Sequence, residues 1–206
     1  MGWRAAMVII DTKIELPTEK LIKKIGGSKI VFEAETTFEE AINPEEGKLY
    51  FGTYQGNSII CDTDLPLIFY DDKLSKVEKL IIKLFPNNRI LAVNLDSTSN
   101  FYGYVLIDKG KKVRVKVGDW ERPVILELGQ PLEEEKELYK KAVITESGSK
   151  IFKLGDTVED GYTEDAFGEE FVFEVVKGIL GGRIDDAEME ELLFKTPFYR
   201  YNKITE

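Results

Sequence analysis

Residues 89–118, RILAVNLDSTSNFYGYVLIDKGKKVRVKVG, narrow the fold more than any other stretch of the chain. The apolar run 90–95 ends at Asp96-Ser97-Thr98-Ser99-Asn100, a cluster of turn formers. Residues 101–107 resume with apolar side chains at both parities, as a strand covered on two faces requires. Asp108-Lys109-Gly110-Lys111 then offers a tight reversal, because Gly110 can take positive φ with no Cβ clash. Beyond it Val113, Val115 and Val117 alternate with Lys112, Arg114 and Lys116, which predicts a strand with one dry and one wet face. The expectation is an antiparallel hairpin at 101–108 and 111–117, with 89–95 a further strand of the same sheet.

The flanks mix helices and strands. Strands are expected at 5–10, 29–34, 48–54, 57–61 and 124–128. A helix entered near Pro17-Thr18 carries Leu21, Ile22 and Ile25 on one face and stops at Gly26-Gly27. Thr37-Phe38-Glu39-Glu40 matches the capping box of a brief helix ending at Asn43-Pro44. A longer helix over 72–85 aligns Leu74, Val77, Ile81 and Leu84, and a charged one spans 133–141. From about 147 the sequence turns polar and rich in Gly and Asp, reading as a loop with at most one short strand. Phe167, Phe171, Val175 and Ile179 recur every four residues and predict a buried helix closed by Gly181-Gly182. A short helix at 186–193 leads into FKTPFYRYNK, an aromatic tail expected to pack on the body as an arm or an edge strand. The reading is one domain over 1–206: a sheet-and-helix body at 1–145, then a C-terminal loop, buried helix and tail at 146–206. The class is α+β, with mixed α/β open, around a central mixed sheet packed by helices.

Composition removes several chemistries. Histidine is absent and Cys61 is the sole cysteine, so Ser-His-Asp and Cys-His catalysis, imidazole zinc sites and an intrachain disulfide are all excluded. Any metal would be a hard ion held by carboxylates, magnesium or calcium. With 38 acidic and 28 basic residues the net charge is −10, which repels phosphate backbones and argues against nucleic-acid binding. The same charge serves solubility or draws a basic partner. No apolar run approaches the roughly 20 residues a membrane span needs. The opening MGWRAAMVIID reads as a first strand rather than a leader, so a cytoplasmic location is expected.

Four stretches occur in order: NPEEGKLYFGTYQGNSIICD (43–62), RILAVNLDSTSNFYGYVLIDKGKKVRVKV (89–117), ELGQPLEEE (127–135) and AFGEEFVFEVVKGILGG (166–182). Together they resemble an uncharacterised bacterial family, a domain of unknown function, in arrangement over about 1–182. The resemblance implies a bacterial-type intracellular protein and brings no activity, cofactor or site residue with it. A strand, a Lys-Gly turn, a second strand and a Gly-x-Pro segment before acidic residues also look like small bacterial immunity proteins.

One catalytic pattern competes. SIICDTDLP, a hydrophobic strand ending in Asp62-Thr63-Asp64, is similar to the first motif of haloacid-dehalogenase-type phosphotransferases. That resemblance would make Asp62 the nucleophile and Asp64 the general acid/base, with Mg2+ at the phosphate. Ser97 would supply a phosphate-binding hydroxyl, and Asp156 and Asp160 of Gly155-Asp156-x-x-x-Asp160 the metal-binding acids. The motif sits some sixty residues later than that family places it, and Gly155-Asp156 follows no strong hydrophobic strand. The plainer reading makes Asp62 and Asp64 turn residues ahead of Pro66. Cys61 reads as a buried, inert thiol.

The binding reading rests on surfaces. Lys111, Lys112, Arg114, Lys116 and Arg122 form a basic patch, either a solvated strand face or a seat for an acidic partner. Trp120 would anchor a contact if exposed, and Phe198, Tyr199 and Tyr201 of the tail are further candidates. The expectation is a non-enzymatic domain that binds a protein partner or self-associates, without a cofactor, with the magnesium phosphatase as its alternative.

Overall fold

The computed structural model describes residues 2–14, 19–26, 29–146, 148, 150–153 and 161–204. In chain order the elements are β1 (Arg4–Ile10), α1 (Glu19–Gly26), β2 (Lys29–Thr37), α2 (Phe38–Ala41), β3 (Lys48–Tyr54), β4 (Asn57–Cys61), α3 (Lys76–Leu84), β5 (Ile90–Asp96), β6 (Phe101–Asp108), β7 (Lys111–Gly118), β8 (Leu126–Leu128), α4 (Glu133–Tyr139), β9 (Ala142–Ile144), β10 (Lys150–Lys153), β11 (Gly161–Thr163), α5 (Gly168–Leu180) and β12 (Pro197–Ile204). A 3-10 turn covers Pro66–Phe69, and Ala187–Met189 runs into a π-helical turn at Glu190–Phe194. The expected helix entry at Pro17-Thr18, Gly27 of its expected stop, and residues 154–160 of the polar stretch lie outside the described residues.

Among the described residues nine strands form one sheet in the order β2-β12-β3-β4-β1-β5-β6-β7-β8, and β11-β10-β9 form a second, smaller one. The fold is α+β. Every pairing in the large sheet is antiparallel, so it is not the mixed sheet the sequence suggested. β4 and β5 run in the same direction, but β1 lies between them and pairs antiparallel with each.

Helices cover both faces. Ala5, Met7 and Ile9 of β1 join the core beneath α2, α4 and α5, while Val8 and Ile10 join the core beneath α1, α3 and the 3-10 turn. A strand with no wet face reads as an unbroken apolar run, which is what AAMVII is. The α5 core is dense in aromatics: Phe152 stacks on Phe167 at 4.6 Å, with Phe171 edge-on to both. The C-terminal helix ends where expected, Gly181 taking φ +84° as a left-handed cap.

The hairpin of β6 and β7 forms with its turn at Lys109-Gly110, both residues at positive φ. Its register, however, slips between Leu106 and Ile107: Leu106 faces Arg114 while Ile107 faces Lys112, leaving Val113 as an extra, bulged residue. Period-2 alternation therefore breaks at Val113. Lys112 points to the α3 face, and Arg114 and Lys116 point to the α5 face.

The tail departs further from expectation. β12 is neither an arm nor an edge strand; it pairs with β2 on one side and β3 on the other. Phe198 and Tyr201 are consequently buried in the two opposite cores, and Tyr199 is half-buried. The polar stretch from 147 also contains two short strands, β10 and β11, rather than one at most.

Candidate functional site

Among the described residues the acidic catalytic set does not come together. Asp62 follows β4 directly at 1 % exposure, and its Oδ1 accepts the backbone N–H groups of Asp64 (2.9 Å) and Leu65 (3.0 Å). Its Oδ2 is ion-paired with Lys203 of β12. The carboxylate thus holds the turn into the 3-10 segment, and Asp64 stands exposed beside it. Ser97 lies at the same end of the sheet but on the opposite face, accepting from Trp3 N (3.1 Å) and donating to Glu169 Oε2 of α5 (2.7 Å). Asp156 and Asp160 lie outside the described residues. Among the described residues no group of three or more acidic or thiol side chains is placed to hold a metal ion. Burial, and then the neighbouring Asp62 charge, push the Cys61 thiol well up, so it stays protonated.

The same strand ends do enclose a cleft of about 280 Å³. Arg4, Asn43, Thr63, Asn94 and Asp96 line it, so the middle residue of Asp62-Thr63-Asp64 faces it rather than either acid.

The basic patch is corrected as well. Arg114 and Lys116 are each 0 % exposed, under α4 and α5. Arg114 Nη2 meets Glu135 Oε1 of α4 at 2.6 Å and Glu127 Oε1 of β8 at 2.7 Å. Its Nη1 donates to the carbonyls of Leu128 and Gly129. Lys116 is ion-paired with Glu164 just after β11, and its ammonium sits 5.0 Å from the Phe171 ring and 5.6 Å from that of Tyr139. Lys150 of β10 reaches the other oxygen of Glu164 at 3.3 Å. Lys112, on the far face, pairs with buried Glu78 of α3 at 2.8 Å. Each of these three cations of β7 therefore has its own intramolecular glutamate. The reason is energetic: a buried charge must be paired, and here helices and a strand distant in sequence bring the counter-charges.

Burial pushes the Tyr102, Tyr104 and Tyr139 phenols upward, so all three stay protonated around these pairs. For Glu127, burial acts upward, but the hydrogen bond from Arg114 and the nearby Lys116 charge outweigh it and hold the carboxyl below 4.5. A depressed folded-state value stabilises the fold above the unfolded value and loses that contribution as pH falls through the folded one. Thermal unfolding followed from pH 6 downward should therefore show a loss setting in below about pH 4.5, and Glu127→Gln should flatten that part of the curve.

What remains at the surface is the connection from β7 to β8. Residues 120–125 are exposed without interruption, with Trp120 at 64 %, Val124 at 40 % and Ile125 at 37 %. Asp119 Oδ1 accepts from Glu121 N and Arg122 N and ties the loop back on itself, which holds Trp120 outward. Arg122, a candidate from the sequence, is exposed here and lies 3.9 Å from Asp119. β8 beside it is three residues long and is the last strand of the sheet, so its outer backbone edge has no strand partner among the described residues.

Residues 16–147 match the model of DUF6928, a family of unknown function. The chain belongs to this family. No curated protein and no solved structure gives a significant match. The DUF6928 stretch contains the hairpin, Arg114 with Glu135, the Trp120 loop and Asp62, whereas β1, α5 and β12 fall outside it. Among the described residues no helix is long and apolar enough to cross a membrane. Reading the sequence missed Glu78, Glu135 and Glu164 as partners of the β7 cations. Glu78 and Glu135 lie in segments that read as amphipathic or charged helix, and Glu164 in a stretch that reads as polar loop, so nothing local marks them as partners.

Proposed function

We propose that this DUF6928 chain is a non-catalytic protein-binding domain whose partner is an extended, net-basic segment seated on the Trp120 loop and the outer edge of β8. The observation that carries this reading is Trp120, exposed on a loop tied down by Asp119 and adjoining a strand edge that has no strand partner among the described residues. A large rigid aromatic held outward loses little entropy on binding and is the residue type most often dominant at interfaces. An open edge supplies main-chain hydrogen bonds to an added strand. The net charge of −10 favours a basic partner over nucleic acid and disfavours a second copy carrying the same charge. We place the protein in the cytoplasm of a bacterial-type cell, the setting the sequence resemblance implies and one in which a lone free cysteine is unremarked. The phosphatase alternative is less well supported, because both oxygens of Asp62 are already engaged.

The test is to pan a random peptide-display library on the wild-type chain and on Trp120→Ala. Wild type should enrich peptides rich in Lys and Arg with alternating apolar positions, and Trp120→Ala should weaken them about 30-fold, as loss of a dominant anchor does. Its unfolding free energy should stay within about 0.5 kcal/mol of wild type. Peptides held equally by both proteins, or a micromolar homodimer in sedimentation, would count against the reading.

A further inference from the structure

We propose that the outer face of α1 and α3 is a peripheral docking surface for an anionic lipid bilayer. α3 repeats Lys76, Lys79 and Lys83 at spacings of three and four, which puts the three ammoniums on one stripe of the helix, opposite buried Glu78 and Ile81. α1 packs beside α3 and turns Lys23 and Lys24 outward in the same way, away from buried Ile22 and Ile25. All of these lysines are exposed.

Charge is unevenly spread over this chain. Lys136, Lys140, Lys177 and Lys195 each pair with a glutamate three or four residues earlier. Lys24, Lys76, Lys79 and Lys83 have no ion pair among the described residues. Glu78, the acid within α3, is buried and taken by Lys112. Asp71 and Asp72 stand ahead of the helix, at the end away from Lys83. A face of uncompensated positive charge in a chain of net charge −10 calls for an anionic partner. The acids of α4 lie across the sheet, farther off than the screening length of about 8 Å at physiological salt.

The side chains beside the lysines select the kind of anion. Leu84 closes α3 at 38 % exposure, and Leu67 and Ile68 of the 3-10 turn, which packs against α3, stand at 47 % and 39 %. The outer surface of a pair of helices is convex and offers no groove to a peptide, and aliphatic side chains give a nucleobase nothing to stack on. Lysine is a point charge on a flexible stem and needs no fixed partner geometry, unlike the forked guanidinium that reads a single phosphate or carboxylate. An anionic bilayer satisfies both halves of this surface. Its headgroups meet the ammoniums, and the aliphatic tips enter the boundary with the acyl chains. The contact is peripheral and needs no spanning helix. The face shares no residue with the Trp120 loop or β8, and neither proposal depends on the other.

Co-sedimentation of the full chain with vesicles of equal parts phosphatidylglycerol and phosphatidylcholine, against vesicles of phosphatidylcholine alone, tests the assignment. The chain should partition onto the anionic vesicles at low salt, leave the neutral ones bare, and come off as salt rises to about 0.5 M. The combined substitutions Lys76→Gln, Lys79→Gln and Lys83→Gln should weaken partitioning about 100-fold with the melting temperature unchanged, since the three side chains are exposed and hold no ion pair among the described residues. Leu67→Ser with Ile68→Ser should weaken it about tenfold. Lys136→Gln with Lys140→Gln, on the opposite layer, should leave it as in wild type. Absence of partitioning at low salt, partitioning unchanged in either variant of the face, or a chain held by soluble polyglutamate or single-stranded RNA but not by the vesicles would overturn the proposal.

Discussion

Arg114→Met is expected to lower the unfolding free energy by about 3–5 kcal/mol, measured by urea denaturation with an unchanged m-value. The substitution keeps most of the apolar stem but removes the guanidinium from between Glu135, Glu127 and the Leu128 and Gly129 carbonyls. Glu135 is wholly buried, so it would be left as a charge without a cation beside it, held by the N–H of Leu132. Stranding one member of a buried pair costs far more than removing both. Arg114→Met combined with Glu135→Leu should therefore recover more than half of the loss. The pair of results separates two pictures of β7. Were Arg114 part of a solvated basic face, the single variant would cost less than about 1 kcal/mol and the second substitution would restore nothing.

Phe198→Ala is expected to cost a similar amount, about 3–5 kcal/mol, as deletion of a buried aromatic does. Phe198 is 0 % exposed, lies 5.3 Å from the ring of Phe38, and covers Gly52 so closely that a Cβ there would stand 2.3 Å from its ring atoms. The cavity left would open on the α5 side of a strand hydrogen-bonded on both edges, with little freedom to collapse. A tail that merely docked on the body, or reached for a partner, would tolerate the same change within about 0.5 kcal/mol. Equilibrium unfolding distinguishes the two outcomes directly.

The hairpin at 101–118, the helical stretches around α1, α3, α4 and α5, the Gly181 cap and the α+β class are all legible in the amino-acid order. They rest on local chemistry: side-chain periodicity, turn formers and residues that tolerate positive φ act over a few positions and need no distant partner. The inert character of Cys61 follows likewise from its place at the end of an apolar strand. The faces of β7 were not legible, because a single extra residue at Val113 reverses which side Lys112 takes relative to Arg114, and a bulge leaves no reliable mark in composition. Whether a lysine or arginine on a strand is wet or buried depends on a carboxylate some 20 to 50 residues away, as with Glu135 and Glu164. The place of β12 was hidden for the same reason. An aromatic strand at the end of a chain looks alike as an edge, an arm or an interior strand, and only the pairing of β2 and β3 on either side of it puts Phe198 and Tyr201 in opposite cores. Local order is written in neighbouring residues, whereas burial, register and charge pairing are set by contacts between elements far apart in the chain.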